Sequence, residues 1–157
     1  MKIPTLLISL LALSGSLRAD VTIADAWVRA TVPAQKATGA FMKLTSKGDV
    51  KLVSATCDIT KTVEIHEMSM DGEKMKMREV KAIDLPDGKT VSLKPGGYHV
   101  MLLDLPEQVK PGQEITFKLV FEKADGSRET QEVKAKAYPV NETPFTDKAA
   151  KEEDAKH

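Results

Sequence analysis

Apolar and polar residues alternate with a period of two along most of this chain, in short runs separated by turn residues. Such alternation sends successive side chains to opposite faces of a β-strand, one face to be buried and one to meet water. Turn residues recur at short, fairly even intervals: Ser46-Lys47-Gly48-Asp49, Asp71-Gly72, Pro86-Asp87-Gly88, Pro95-Gly96-Gly97, Pro111-Gly112 and Asp125-Gly126. The intervening runs predict strands over Val21–Thr31, Gly39–Thr45, Lys51–Cys57, Thr62–Met70, Lys74–Ile83, Thr90–Leu93, Tyr98–Leu103, Glu114–Phe121 and Glu129–Ala137. No stretch between them sustains a helical period. This is the pattern of an all-β sandwich or barrel in one domain, over residues 20–140.

Both ends differ from that pattern. Residues 1–19 open with a short positive start and an apolar run from Ile3 to Leu13, then close on Ser14-Gly15-Ser16-Leu17-Arg18-Ala19. They read as a secretory signal, too short to span a bilayer, with cleavage expected after Ala19 or else after Ser16. Residues 141–157 are charged, lack β-branched runs and are expected to form a flexible tail. The mature protein is therefore expected outside the cytoplasm, with no stable membrane insertion.

Composition excludes more than it specifies. Lys2 and Arg18 leave with the leader, so 21 of the 23 basic residues face 23 acidic ones, a net charge near −2. Nothing there attracts nucleic acid or an anionic membrane. The single cysteine, Cys57, has no partner for an internal disulfide and reads as a small buried hydrophobe at a strand end. We find no nucleophile–base pair, phosphate-binding glycine loop or paired carboxylates, so an enzyme is not expected.

The candidate chemistry lies between His66 and Met101. His66 is followed after ten residues by Met77, and after twenty-one more by His99-Val100-Met101. Four of the six methionines after Met1 fall between residues 68 and 77, among Ser, Asp, Glu and Lys rather than in an apolar run. An Asp-Gly pair flanked by alternating residues predicts a tight hairpin. With Asp71-Gly72 as a two-residue loop, Met68 faces Met75, Glu67 pairs with Lys76 and His66 faces Met77. His66, Met68, Met75 and Met77 then share one face. His99 and Met101, two residues apart, also share a face. A pocket would form where the hairpin meets the Tyr98–Leu103 strand.

Neutral imidazole and thioether are soft, uncharged ligands that suit Cu(I), whereas zinc sites favour thiolate, imidazole and carboxylate. His66, Met77, His99 and Met101 are the expected ligands. Met68, Met70 and Met75 are auxiliary ligands or a hydrophobic docking patch, with the patch preferred. Glu64 and Glu67 stand beside His66 either as acceptors for imidazole N–H groups or as solvated surface, and the second reading is favoured. Trp27 is expected in the core and Arg29 beside an acidic neighbour. The rival reading is a metal-independent secreted interaction module with a Met-rich docking face. An electron-transfer copper centre would need a cysteine thiolate in the site, and Cys57 belongs to no such loop.

These residues resemble the motif of the periplasmic copper chaperone family PCuAC. The likeness includes the His66–x10–Met77–x21–His99–x–Met101 spacing, Ala26-Trp27-Val28-Arg29-Ala30-Thr31, Val63-Glu64-Ile65-His66 and the run Leu93 to Leu102. It continues through Val109-Lys110-Pro111-Gly112 and Ile115-Thr116-Phe117-Lys118-Leu119, and covers about residues 21–137. The resemblance implies a cupredoxin-like Greek-key fold that binds one Cu(I) through two His and two Met. It implies delivery toward the copper-A centre of cytochrome c oxidase. The acceptor would be an oxidase subunit or a thiol-based copper chaperone. Two departures stand out. Phe41-Met42-Lys43-Leu44-Thr45-Ser46 occupies a place where an aromatic strand ending in asparagine is expected. The tail carries only His157, which argues against a second copper site there.

Overall fold

The computed structural model describes residues 20–145; the expected leader and most of the expected tail lie outside the described residues. Ten strands run in chain order as β1 (Val21–Arg29), β2 (Thr38–Ser46), β3 (Val50–Cys57), β4 (Thr62–Asp71), β5 (Lys74–Glu79), β6 (Ile83–Leu85), β7 (Thr90–Leu93), β8 (His99–Leu103), β9 (Glu114–Lys123) and β10 (Arg128–Tyr138). Among the described residues there is no helix, and none that could cross a membrane. The strands hydrogen-bond in the order β5-β4-β8-β2-β1-β10-β9-β3-β6, with β7 on β2. Every pairing is antiparallel except β1 with β10. The result is an all-β Greek-key sandwich closed over one core.

That core follows from the period of two. Ile115, Phe117, Leu119 and Phe121 alternate along β9 and are fully buried, and Ala40, Met42 and Leu44 on β2 meet them with Val100 and Leu102 of β8. Each large side chain so buried contributes roughly 1.5–3 kcal/mol relative to an exposed position. Cys57 ends β3 and is half-buried rather than buried, packed at the margin of the core.

One expected strand is two. The Lys74–Ile83 run splits into β5 and β6 because the chain changes partner. Val80 still donates its N–H to the Ile65 carbonyl (2.8 Å), whereas Ile83 pairs with Leu52 on β3. A crossing of this kind leaves the apolar pattern unbroken.

A bulge in β1 sets the second face of the sheet. Ala24 pairs with Lys43 but Trp27 pairs with Phe41, so one extra residue is accommodated around Asp25, whose φ is 53°. Bulges re-aim the side chains that follow. Here the bulge sends Val28 to the core and Trp27 to the opposite face, beside Phe41.

Candidate metal centre

The site grows on the face opposite the main core, from side chains directly across from one another on neighbouring strands. Trp27 on β1 pairs with Phe41 on β2, Met101 of β8 pairs with Gly39 of β2, and His99 of β8 pairs with His66 of β4. The rings form a row: Trp27 to Phe41 at 4.6 Å between centroids, Phe41 to His99 at 6.2 Å and His99 to His66 at 5.9 Å. Trp27 is buried under Phe41 and the edge of Tyr138, and the Arg29 guanidinium lies over it at 5.2 Å. Arg29 thus meets a ring and the Val140 carbonyl rather than the acidic neighbour expected for it. The Phe41 ring covers Gly39 so closely that a Cβ there would meet it at 2.9 Å. The two histidines therefore end an aromatic wall.

The hairpin β4–β5 supplies the sulfur, in a register that corrects the sequence expectation. His66 pairs with Glu79, Met68 with Met77 and Met70 with Met75. The loop is Gly72-Glu73, entered through a φ of 65° at Gly72. One positive φ at the first loop position is the II′ pattern, whereas an Asp71-Gly72 loop of type I′ would need two in succession. Glu67 accordingly pairs with Arg78 instead of Lys76, and Lys76 with Asp71. Both registers have the same parity, so His66, Met68, Met75 and Met77 still leave one face.

β4 lies directly against β8, which brings His99 to His66 and places Met77 in contact with His99. His99 is fixed by its Nδ1, 3.1 Å from the Gly97 carbonyl. A carbonyl only accepts, so Nδ1 carries the proton and Nε2 presents a lone pair. That lone pair points at the Met77 sulfur, 3.1 Å away, which has no proton to give. Burial, reinforced by the neighbouring His66, holds the His99 pKa below the ordinary imidazole value, although the Gly97 hydrogen bond opposes the shift. His66 is fixed in turn: its Nε2 lies 2.6 Å from the Glu64 carboxylate, leaving Nδ1 buried without a partner. Both imidazoles are almost fully buried.

An imidazole lone pair facing a thioether, and a second imidazole nitrogen buried without a partner, are costly when left unsatisfied. They are what a soft cation would satisfy. Met101 sits one pair beyond the histidines on the same face, opposite Glu64 and half-buried. Met77, by contrast, is half-exposed, so the pocket opens toward the hairpin. No three His, Cys, Asp or Glu side chains converge among the described residues, so the thiolate and carboxylate cluster that zinc prefers is not assembled there. Cys57 bonds within its own loop, to the Thr60 carbonyl, and Thr60 meets Leu103 at the far end of β8 from His99. The separation is about 13 Å along the strand.

Glu64 is the residue whose role the sequence reading underrated. It lies two positions before His66 and hence on the same face, which is the signal that marks it. Glu67, on the other face, takes no part.

Residues 21–136 match the family described as putative lipoprotein LpqE-like, which is the PCuAC family. The chain belongs to it. Among curated relatives, a putative lipoprotein of Leifsonia xyli subsp. xyli, Lxx21020, is 33% identical over 108 residues, or 68% of this chain. The chain spans 64% of that relative's length. The copper-bound PCuAC domain from PmoF2 shares the fold at 23% identity, with a TM-score of 0.62 over 77% of this chain and 94% of that domain. The Cu(I) form of DR1885 from Deinococcus radiodurans is 30% identical, with a TM-score of 0.54 over 80% of this chain and 83% of its own. The cupredoxin-like PCuAC fold is thus shared across the described strands.

Proposed function

We propose that this protein is a copper chaperone of the bacterial envelope that carries one Cu(I) held by His66, Met77, His99 and Met101. The observation that carries the reading is the approach of two proton-free donors, His99 Nε2 and Met77 Sδ, beside the unpartnered His66 Nδ1. Copper-bound and Cu(I)-bound family members of the same fold support it. Copper here is cargo, and no enzymatic role is proposed.

The donor set suits a carrier. Thioethers need no deprotonation and imidazoles need only be neutral, so binding requires little beyond the folded site. A thiolate-bearing acceptor then takes the metal by ligand exchange, since thiolate is the stronger soft ligand. Thioethers also escape disulfide formation outside the cytoplasm. The acceptor we propose is the copper-A centre of a cytochrome c oxidase subunit, reached directly or through a thiol-based chaperone. The periplasm is the compartment that this role and the secretory leader imply. Anaerobic titration against a chromophoric Cu(I) chelator is expected to show one tight equivalent. Failure to compete with the chelator would return the Met-rich face to the metal-independent docking reading.

Glu64 acts through His66 by holding Nε2–H outward so that Nδ1 stays free. Loss of such a supporting partner typically costs tenfold to hundredfold in metal affinity, and Glu64→Ala is expected to lose about tenfold. Glu64→Gln keeps an acceptor and is expected to retain most of the affinity, with the His66 tautomer unchanged by nitrogen NMR. Equal losses in both variants would assign the effect to charge instead.

A further inference from the structure

Beyond the buried pocket, the hairpin carries sulfur that the pocket does not use. Met68 is opposite Met77 and Met70 is opposite Met75, so four thioethers leave one face as two successive rungs above the His66–His99 row. Rungs two residues apart are separated by roughly 7 Å. The outer rung is open to solvent, with Met70 62% and Met75 50% exposed. β5 ends the sheet, so no strand flanks it on its outer side. Its other face carries the charged partners, Arg78 with Glu67 and Lys76 with Asp71. A tip so well solvated by charge gains little stability from four methionines. Opposed thioethers in pairs are, however, a ligand set for a soft monovalent cation.

We propose that Met70 and Met75, with Met68 beside them, form a second and weaker Cu(I) site at the hairpin tip, from which the metal passes by way of the Met68–Met77 rung to and from the buried pocket. This rests on the copper reading of the pocket. Met68 links the two sites because it is directly opposite Met77, whose sulfur reaches His99. Transfer between rungs exchanges one thioether for another at constant oxidation state, with no proton released and no oxidant or reductant required. Lacking imidazole, the tip is expected to bind at least tenfold more weakly than the pocket.

The test is a stepwise anaerobic Cu(I) titration of the full chain with carbon-13-labelled methionine methyls, followed by NMR. The first equivalent is expected to shift the Met77 and Met101 methyls, and the second those of Met68, Met70 and Met75. In Met70→Leu/Met75→Leu, a swap of similar volume at exposed positions, the first step should persist and the second disappear. Tip methyls unmoved through two equivalents, or a second equivalent that survives the double substitution, would overturn the proposal. A tip that responds while Met77 and Met101 stay still would sink the pocket assignment and with it the relay, leaving copper on the hairpin alone.

Discussion

His99→Ala is expected to abolish tight Cu(I) binding while the β-sandwich stays folded. His99 is the centre of the site: its ring bridges the aromatic wall and His66, its Nδ1 is fixed on Gly97, and its Nε2 meets the Met77 sulfur. Removing it takes away the one donor that touches the hairpin sulfur and faces the other imidazole. The dissociation constant should rise by more than the tenfold to hundredfold that a lost supporting hydrogen bond typically costs, thus on the order of a hundredfold or beyond. The fold should lose only about 1 kcal/mol for the hydrogen bond, because the Gly97 carbonyl still accepts the Met68 N–H when the imidazole is gone. Val100 and Leu102, which anchor β8 in the core, point the other way and are untouched. Chelator competition reads the affinity and thermal unfolding reads the fold. A loss below tenfold in a folded variant would place the metal elsewhere. Collapse of the fold would make His99 structural, in which case Met77→Leu, at a half-exposed position, isolates the donor effect.

How much of this was legible depends on which physical signal each feature leaves in the chain. β9 could be read directly, since its alternation is uninterrupted and one face is wholly buried. The face of the hairpin methionines was legible for the same reason. Their partners were not, because sliding the β4–β5 pairing by two positions keeps every side chain on its face while changing what it meets. Asp71-Gly72-Glu73 accommodates either loop, and the structure selects one by pairing Asp71 with Lys74, with a positive φ at Gly72 but not at Asp71. The contact of β4 with β8 is non-local, so spacing could suggest but not establish it. The bulge at Asp25 left no apolar signature, and with it the aromatic wall of Trp27 and Phe41 went unread. Glu64 was visible by parity, yet a carboxylate on a strand is so often solvated that position alone did not favour a role.

Acid is expected to strip the metal through His99. Each imidazole must be neutral to ligate, whereas the thioethers have no proton to exchange. Below its titration, His99 costs about tenfold in affinity per pH unit. The plateau should be flat at mildly alkaline pH, where nothing in the donor set titrates. His99 enters the loss late, because burial holds its pKa below the ordinary 6.5 and keeps Nε2 available into mildly acid solution. The apo fold carries the same dependence. An unfolded His99 takes up a proton near 6.5 that the folded one resists, so its contribution to stability is complete above that value. It declines as pH falls from there toward the lowered folded value and levels off beneath it. Cu(I) competition and thermal unfolding between pH 8 and pH 5 test the two halves together. Affinity unchanged across that range would mean that the methionines hold the metal without the histidines.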